Sequence, residues 1–231
     1  PALIFPLFLL AVNTGGLKGA THLPHFPTHS YLTFALAIPF MQGALFSVMN
    51  AGTDLARDIE TGFLNRLALT PLRGAALLGG LLAGALALGV IQAATYLLVG
   101  LVAGAGFATG IGGVLVIFAL SMVMTLGFGA IGLFIALRAG SGEVVQGMFP
   151  VFFVLLFLSS MALPRNLIQT DWFREIATYN PISYLLEAIR SLLIKGWDGE
   201  ALALGFGVAI AFVVVGMTAA RSALRTRLVR T

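Results

Sequence analysis

The chain has 231 residues, 59% hydrophobic and only 10% charged, with a net charge of +4 and a mean hydropathy of +1.01. An ordinary soluble domain carries about 25% charged residues, so this composition excludes a soluble globular protein and describes a polytopic membrane protein. Its basic balance bears on orientation rather than on nucleic acid, because Lys and Arg collect on the cytoplasmic side of membrane proteins. The absence of cysteine leaves no disulfide or thiolate metal site and no clue to redox compartment.

The apolar runs are continuous and rich in Leu, Ala, Val and Gly, without the alternation of barrel strands. The expected fold is all-α, each backbone group being paired inside its own helix. In chain order, Pro1 to Val12 is too short to span at ~1.5 Å per residue. It reads as the remainder of a first span, and no basic leader or small-residue cleavage site marks it as a signal peptide. Further runs follow at Tyr31 to Gly52, Leu72 to Ala103, Ile111 to Leu137, Val144 to Leu163 and Ala201 to Ala220. No charge occurs from Gly74 through Leu137, a stretch roughly three times the ~20 residues that one span needs. The expectation is one transmembrane domain over residues 1–231 with six spans.

Alternating sides puts Arg57, Arg66, Arg73, Arg138, Arg221, Arg225, Arg227 and Arg230 on one face, which is therefore the cytoplasmic one. Lys18, Arg165, Arg174, Arg190 and Lys195 fall on the other, balanced by Asp171, Glu175, Glu187, Asp198 and Glu200. Small-xxx-small pairs such as Gly80 with Gly84 and Gly100 with Gly104 would allow close helix approach, although among 28 glycines such pairs also arise by chance.

The most charged stretch is "TDLARDIETGFLNRLALTPLRG", Thr53 to Gly74. Leu55, Ile59, Phe63 and Leu67 recur every four residues, while Asp54, Arg57, Asp58, Glu60, Asn65 and Arg66 take the other side. This predicts an amphipathic helix over about 54–70, lying in the interface and ended by Thr70-Pro71, where a new helix starts. A second amphipathic helix is predicted over about 182–195, started by Asn180-Pro181. Ile182, Leu185, Leu186, Ile189 and Leu193 form its stripe, with Glu187, Arg190 and Lys195 off it. It is either a re-entrant lid or a plain interfacial helix.

Other chemistry is sparse. No G-x-x-x-x-G-K-[ST] cradle for ATP phosphates is present. His22, His25 and His29 in "THLPHFPTHS" lack a neighbouring carboxylate and read as solvated loop residues rather than metal ligands. Ion-coupled carriers place ionisable residues at mid-depth; here the polar span residues are neutral, notably Gln42, Asn50 and Gln92. They serve helix-to-helix hydrogen bonding or line a substrate pathway.

"IETGFLNRLALTPL" resembles the coupling segment of ATP-binding-cassette type-2 permeases, in the daunorubicin-resistance-like branch: Glu60, Gly62, Phe63, Leu64, Arg66, Leu67, Thr70 and Pro71 take its places. "YNPISYLLEAIRSLL" resembles the same family's Asn-Pro followed by an amphipathic helix with an Arg, at Asn180, Pro181, Tyr184 and Arg190. The resemblance implies a permease subunit of an ATP-driven exporter of hydrophobic, amphipathic or lipid-linked compounds in a prokaryotic plasma membrane. ATP and Mg would bind a separate ATPase subunit, and this chain would bind no cofactor. A second permease copy, a homodimer more readily than a heterodimer, would complete the pathway. It assigns Glu60, Gly62, Phe63, Arg66, Thr70 and Pro71 to ATPase coupling, and Asn180, Pro181, Leu186 and Arg190 to an external lid. A polysaccharide or teichoic-acid exporter and a non-catalytic membrane scaffold are the alternatives.

Overall fold

The computed structural model describes residues 2–68 and 74–229, and among them there is helix and turn but no strand. Helix α1 is Ile4–Gly16. A short α2, Tyr31–Ala35, runs almost directly into α3, Ala37–Glu60. The interruption at Leu36 follows from Pro39, which has no N–H to give the carbonyl four residues back. After α4, Phe63–Ala68, come the long helices α5, Gly74–Val102, and α6, Gly110–Ala139. The next expected span is broken into α7, Gly142–Gly147, and α8, Phe149–Phe157, parted at Met148 just ahead of Pro150. Helices α9, Asp171–Tyr179, and α10, Pro181–Arg190, continue through a π turn at Ser191–Lys195 to α11, Gly199–Val229.

Among the described residues, four segments are long and apolar enough to cross a membrane: Tyr31–Glu60, Ala76–Val102, Gly110–Ala139 and Gly199–Arg227. The 13 residues of α1 and the 16 of Gly142–Phe157 fall short of ~20. Of the most apolar window in Tyr31–Glu60, 83% is buried, against 33%, 50% and 17% in the other three. The α2–α3 rod is therefore the axis, and α5, α6 and α10 wrap it, with α11 outside α6.

Glycine lets the inner helices touch. A Cβ on Gly132 of α6 would overlap the Val48 carbonyl of α3, and one on Gly52 would lie 2.6 Å from Val145 Cγ1. Ser47 Oγ donates across the same contact to Thr125 O at 3.1 Å, the small-residue and hydroxyl glue that helices use where lipid offers no hydrophobic drive. Of the pairs marked in the sequence, Gly80, Gly84 and Gly104 face open space, and only Gly100 packs closely, against Leu36.

Gly132→Val should therefore force α3 and α6 apart, since overpacking costs ~1–3 kcal/mol or more. The monodisperse peak of the detergent-extracted protein in fluorescence-detected gel filtration should fall several-fold. Gly84→Val, pointing into open space, should leave it unchanged.

Candidate functional site

The polar groups collect at the two ends of the bundle. At the Glu60 end, α3 does not stop where its apolar run stops but continues through the charged residues, burying Leu55 and Ala56. The segment over 54–70 is thus not one interfacial helix: its first half is the end of the axis helix. The break comes at Gly62, whose φ of +70° is a left-handed conformation that closes the helix, with Thr61 N donating to Arg57 O and Gly62 N to Ile59 O. Space around Gly62 is open among the described residues, so the backbone angle alone accounts for glycine there.

That break shifts the register. In an unbroken helix Phe63 would continue the inward stripe of Leu55 and Ile59. Instead Leu64 is buried at 1% exposure and Phe63 is turned out at 46%. Arg66 is exposed beside it, its Nη2 3.5 Å from Thr61 O. Glu60 has a partner within the chain: its Oε1 accepts from Gly142 N at 2.9 Å, satisfying a free N–H at the start of α7, while Ser141 Oγ accepts from Glu143 N. Arg227 donates to Leu137 O at 3.0 Å, so the end of α11 is tied to the same turn. Thr70 and Pro71 lie outside the described residues.

At the opposite end, α10 is bolted to the frayed end of α8. Asn180 caps its own helix by accepting from Ile182 N at 2.9 Å, with Pro181 at the first helical position, and its Nδ2 donates to Leu155 O and Leu158 O. Ser183 Oγ accepts from Ser160 N at 3.0 Å. Arg190, expected on the solvent side, is only 6% exposed. Its Nε donates to Phe34 O at 3.1 Å, its Nη1 to Ser160 O and its Nη2 to Met161 O at 2.6 Å, and the guanidinium lies 3.6 Å from the Phe34 ring centroid. Leu186 is fully buried in the main core, not on a free sealing face.

Arg165, half-buried on the loop before α9, pairs with Glu187 through both Nε and Nη2 and lies 4.8 Å over the Tyr184 ring. Burial works against its charge, but the bonds and charge of Glu187, with Tyr184, outweigh it and hold the guanidinium above its ordinary value. A cavity of about 550 Å³ lies beside this pair, between it and the start of α11, with His25 on its wall. No group of three metal-ligating side chains occurs among the described residues.

No hydrogen bond among the described residues joins the neutral span residues Gln42, Asn50 and Gln92. Gln92 Nε2 and Tyr96 OH both donate to Ala2 O, at 3.1 and 2.8 Å, holding the head of α1 on α5. Gln42 is fully buried with neither amide atom partnered among the described residues, and Asn50 is half-buried about two turns further along α3.

The chain matches the family model for ABC-2 type transporters over residues 3–194. It belongs to the ABC-2 type transporter family. It is also 29% identical over 200 residues, 82% of this chain and 69% of the relative, to the daunorubicin resistance ABC transporter permease protein DrrB1 of Streptomyces coeruleorubidus. No solved structure matches. As an ABC-2 permease the chain is the membrane subunit, which works with an ABC ATPase, and hydrolysis lies in that separate subunit.

The clamp at Arg190 is testable in the permease alone. Arg190→Lys leaves one ammonium where a planar fork serves three carbonyls. Losing two bonds to a charged group, each worth about 1.5–3 kcal/mol, should lower the unfolding midpoint of the purified protein by several degrees at least. Arg165→Lys, at a partly exposed pair, should shift it much less, since exposed ion pairs contribute about 0–1 kcal/mol.

Proposed function

We propose that this permease is half of an exporter for hydrophobic or amphipathic compounds, and that the patch around Phe63 is where a separate ATPase drives it. The observation that carries the reading is the register shift at Gly62: it turns an aromatic side chain to solvent, 46% exposed, beside exposed Arg66. Exposed aromatic and Arg side chains are the usual anchors of protein interfaces. Around Gly62 the described residues leave space for a partner backbone. Glu60, bonded to Gly142, acts behind this patch rather than in it, passing a push on α4 both to α3 and to the α6–α7 turn. Thr70 and Pro71 would carry the same push into α5.

The excess of arginine at this end supports a cytoplasmic orientation for it, and the membrane we assign is a prokaryotic plasma membrane. Helix α1 and the α7–α8 pair, extended by the turn after Phe157, complete a six-span frame, and two copies enclose the pathway. ATP and Mg sit on the ATPase, with no cofactor on this chain. At the other end α10 acts as a lid that moves together with the end of α8, to which Asn180 and Arg190 join it. The cargo class rests on the relative's name and on an aromatic lane formed by Phe5, Phe46, Phe149, Phe153 and Phe157, whose neighbouring rings lie 4.5 to 6.3 Å apart along the lane. Phe5 and Phe157 are exposed at its edges.

Phe63→Asp should weaken ATPase binding by roughly thirty-fold, the ~2 kcal/mol of an interface anchor, and abolish substrate-stimulated ATP hydrolysis in the co-purified complex. Glu60→Gln, which keeps an oxygen for Gly142 N, should retain binding. Unaltered co-purification and hydrolysis in Phe63→Asp would remove the patch from the interface. The Cys-free chain also allows an orientation test: Arg66→Cys should be labelled by an impermeant thiol reagent only after the cells are opened, and labelling of intact cells would reverse the topology.

A further inference from the structure

The cavity at the Arg190 end gathers charge of both signs next to an apolar face. Its volume of about 550 Å³ lies in the range of small-molecule sites, ~300–1,000 Å³. Its cations are Arg165, held by Glu187, Arg190, whose donors go to three carbonyls, and Lys195, which is exposed and forms no ion pair among the described residues. Asp198 and Glu200, at the start of α11, line it too, without a cationic partner among the described residues. Asp198 uses Oδ1 to accept from Ala201 N at 3.1 Å. Leu204 both lines the cavity and is 44% exposed, so the wall continues onto the outer face of α11. There Gly207, with nothing within 4 Å of a Cβ, and exposed Ala211 and Val215 prolong a shallow apolar track one to three turns long. Trp172, Tyr179 and Trp197 are exposed at the same end, at 61%, 79% and 63%, the residue types that sit at headgroup depth.

We infer that this cavity is a headgroup site for a zwitterionic amphiphile, one whose head joins a primary ammonium to a phosphate. Asp198 and Glu200 receive the ammonium. Lys195 and the unshared donors of Arg165 receive the phosphate, Arg having five N–H donors of which Glu187 engages two and Thr178 O a third, at 3.5 Å. The acyl chain lies along Leu204 and Gly207. Unpaired charges of both signs within one cavity favour a zwitterion over a simple anion or cation, each of which would leave like charges facing it. The track on α11 favours an amphiphile over a soluble zwitterion.

The test uses the full chain purified in mild detergent, without nucleotide or ATPase, so its outcome is separate from that of the Phe63 patch. Acyl-labelled phosphatidylethanolamine, phosphatidylcholine and phosphatidylglycerol are titrated by fluorescence anisotropy. The ethanolamine lipid should bind roughly tenfold tighter than either, as expected when a charge-assisted hydrogen bond is present in one ligand and missing in the others. The Asp198→Asn, Glu200→Gln double variant should erase that preference. The introduced asparagine amide still offers the oxygen that caps α11, and an unchanged unfolding midpoint confirms the fold. Lys195→Gln, at an exposed position, should weaken the ethanolamine and glycerol lipids alike. Soluble phosphoethanolamine should displace the labelled lipid far less well than lyso-phosphatidylethanolamine. Equal affinity for the three lipids, or a preference that survives the folded double variant, would overturn the site. Equal displacement by soluble phosphoethanolamine would overturn the amphiphile as its ligand.

Discussion

One guanidinium holds the Arg190 end together. A buried carbonyl left without a donor costs about 1–3 kcal/mol, so a buried helix break needs a side chain to meet its carbonyls. This protein has two such breaks side by side, where α2 passes into α3 and where α8 ends at Phe157. Arg190 reaches both, giving one donor to Phe34 and two to Ser160 and Met161, and lies over the Phe34 ring. Asn180 meets two further carbonyls of α8. Both breaks therefore lean on α10. The reverse also holds, since Arg190 is buried without an ion pair among the described residues and those carbonyls take up its donors.

The Glu60 end uses a different device. There α3 and α6 stay regular through Glu60 and Ala139 and close at the left-handed glycines Gly62 and Gly140, and hydrogen bonds join the elements: Glu60 to Gly142 and Arg227 to Leu137. Between the two ends, α3 and α6 meet backbone to backbone at Gly132 and Gly52, leaving little play between them. A closely packed pair of helices therefore links the Phe63 end to the Arg190 clamp at the far end of the same rod.

The sequence made the helical class and the four long apolar helices legible, because hydropathy and helical period are local properties. The errors came where a local reading was overridden by geometry. Phe63 continued a four-residue stripe on paper, and the signal against it was Gly62, a left-handed closure that restarts the helix one step out of phase so that Leu64 goes in. Arg190 was set outside the apolar stripe because of its charge, yet it stands four residues from Leu186 and eight from Ile182, on their helical phase. Its burial was legible from spacing; its carbonyl partners were not, since they come from residues 156 and about 30 positions away. Pro150 marked the break in the span from Val144 to Leu163. Which glycines pack closely was hidden: Gly132 and Gly84 look alike until α3 is laid against one of them.

The central claim is that the break at Gly62 turns Phe63 toward an ATPase and Leu64 into the bundle. A photo-crosslinking amino acid placed at position 63 or at position 64, in the complex isolated with its ATPase, reads this directly. Crosslinking to the ATPase from position 63, with only intrachain products from position 64, is the predicted result. ATPase adducts from position 64 and none from position 63 would mean that the stripe from Leu55 runs on unbroken, and would contradict the account.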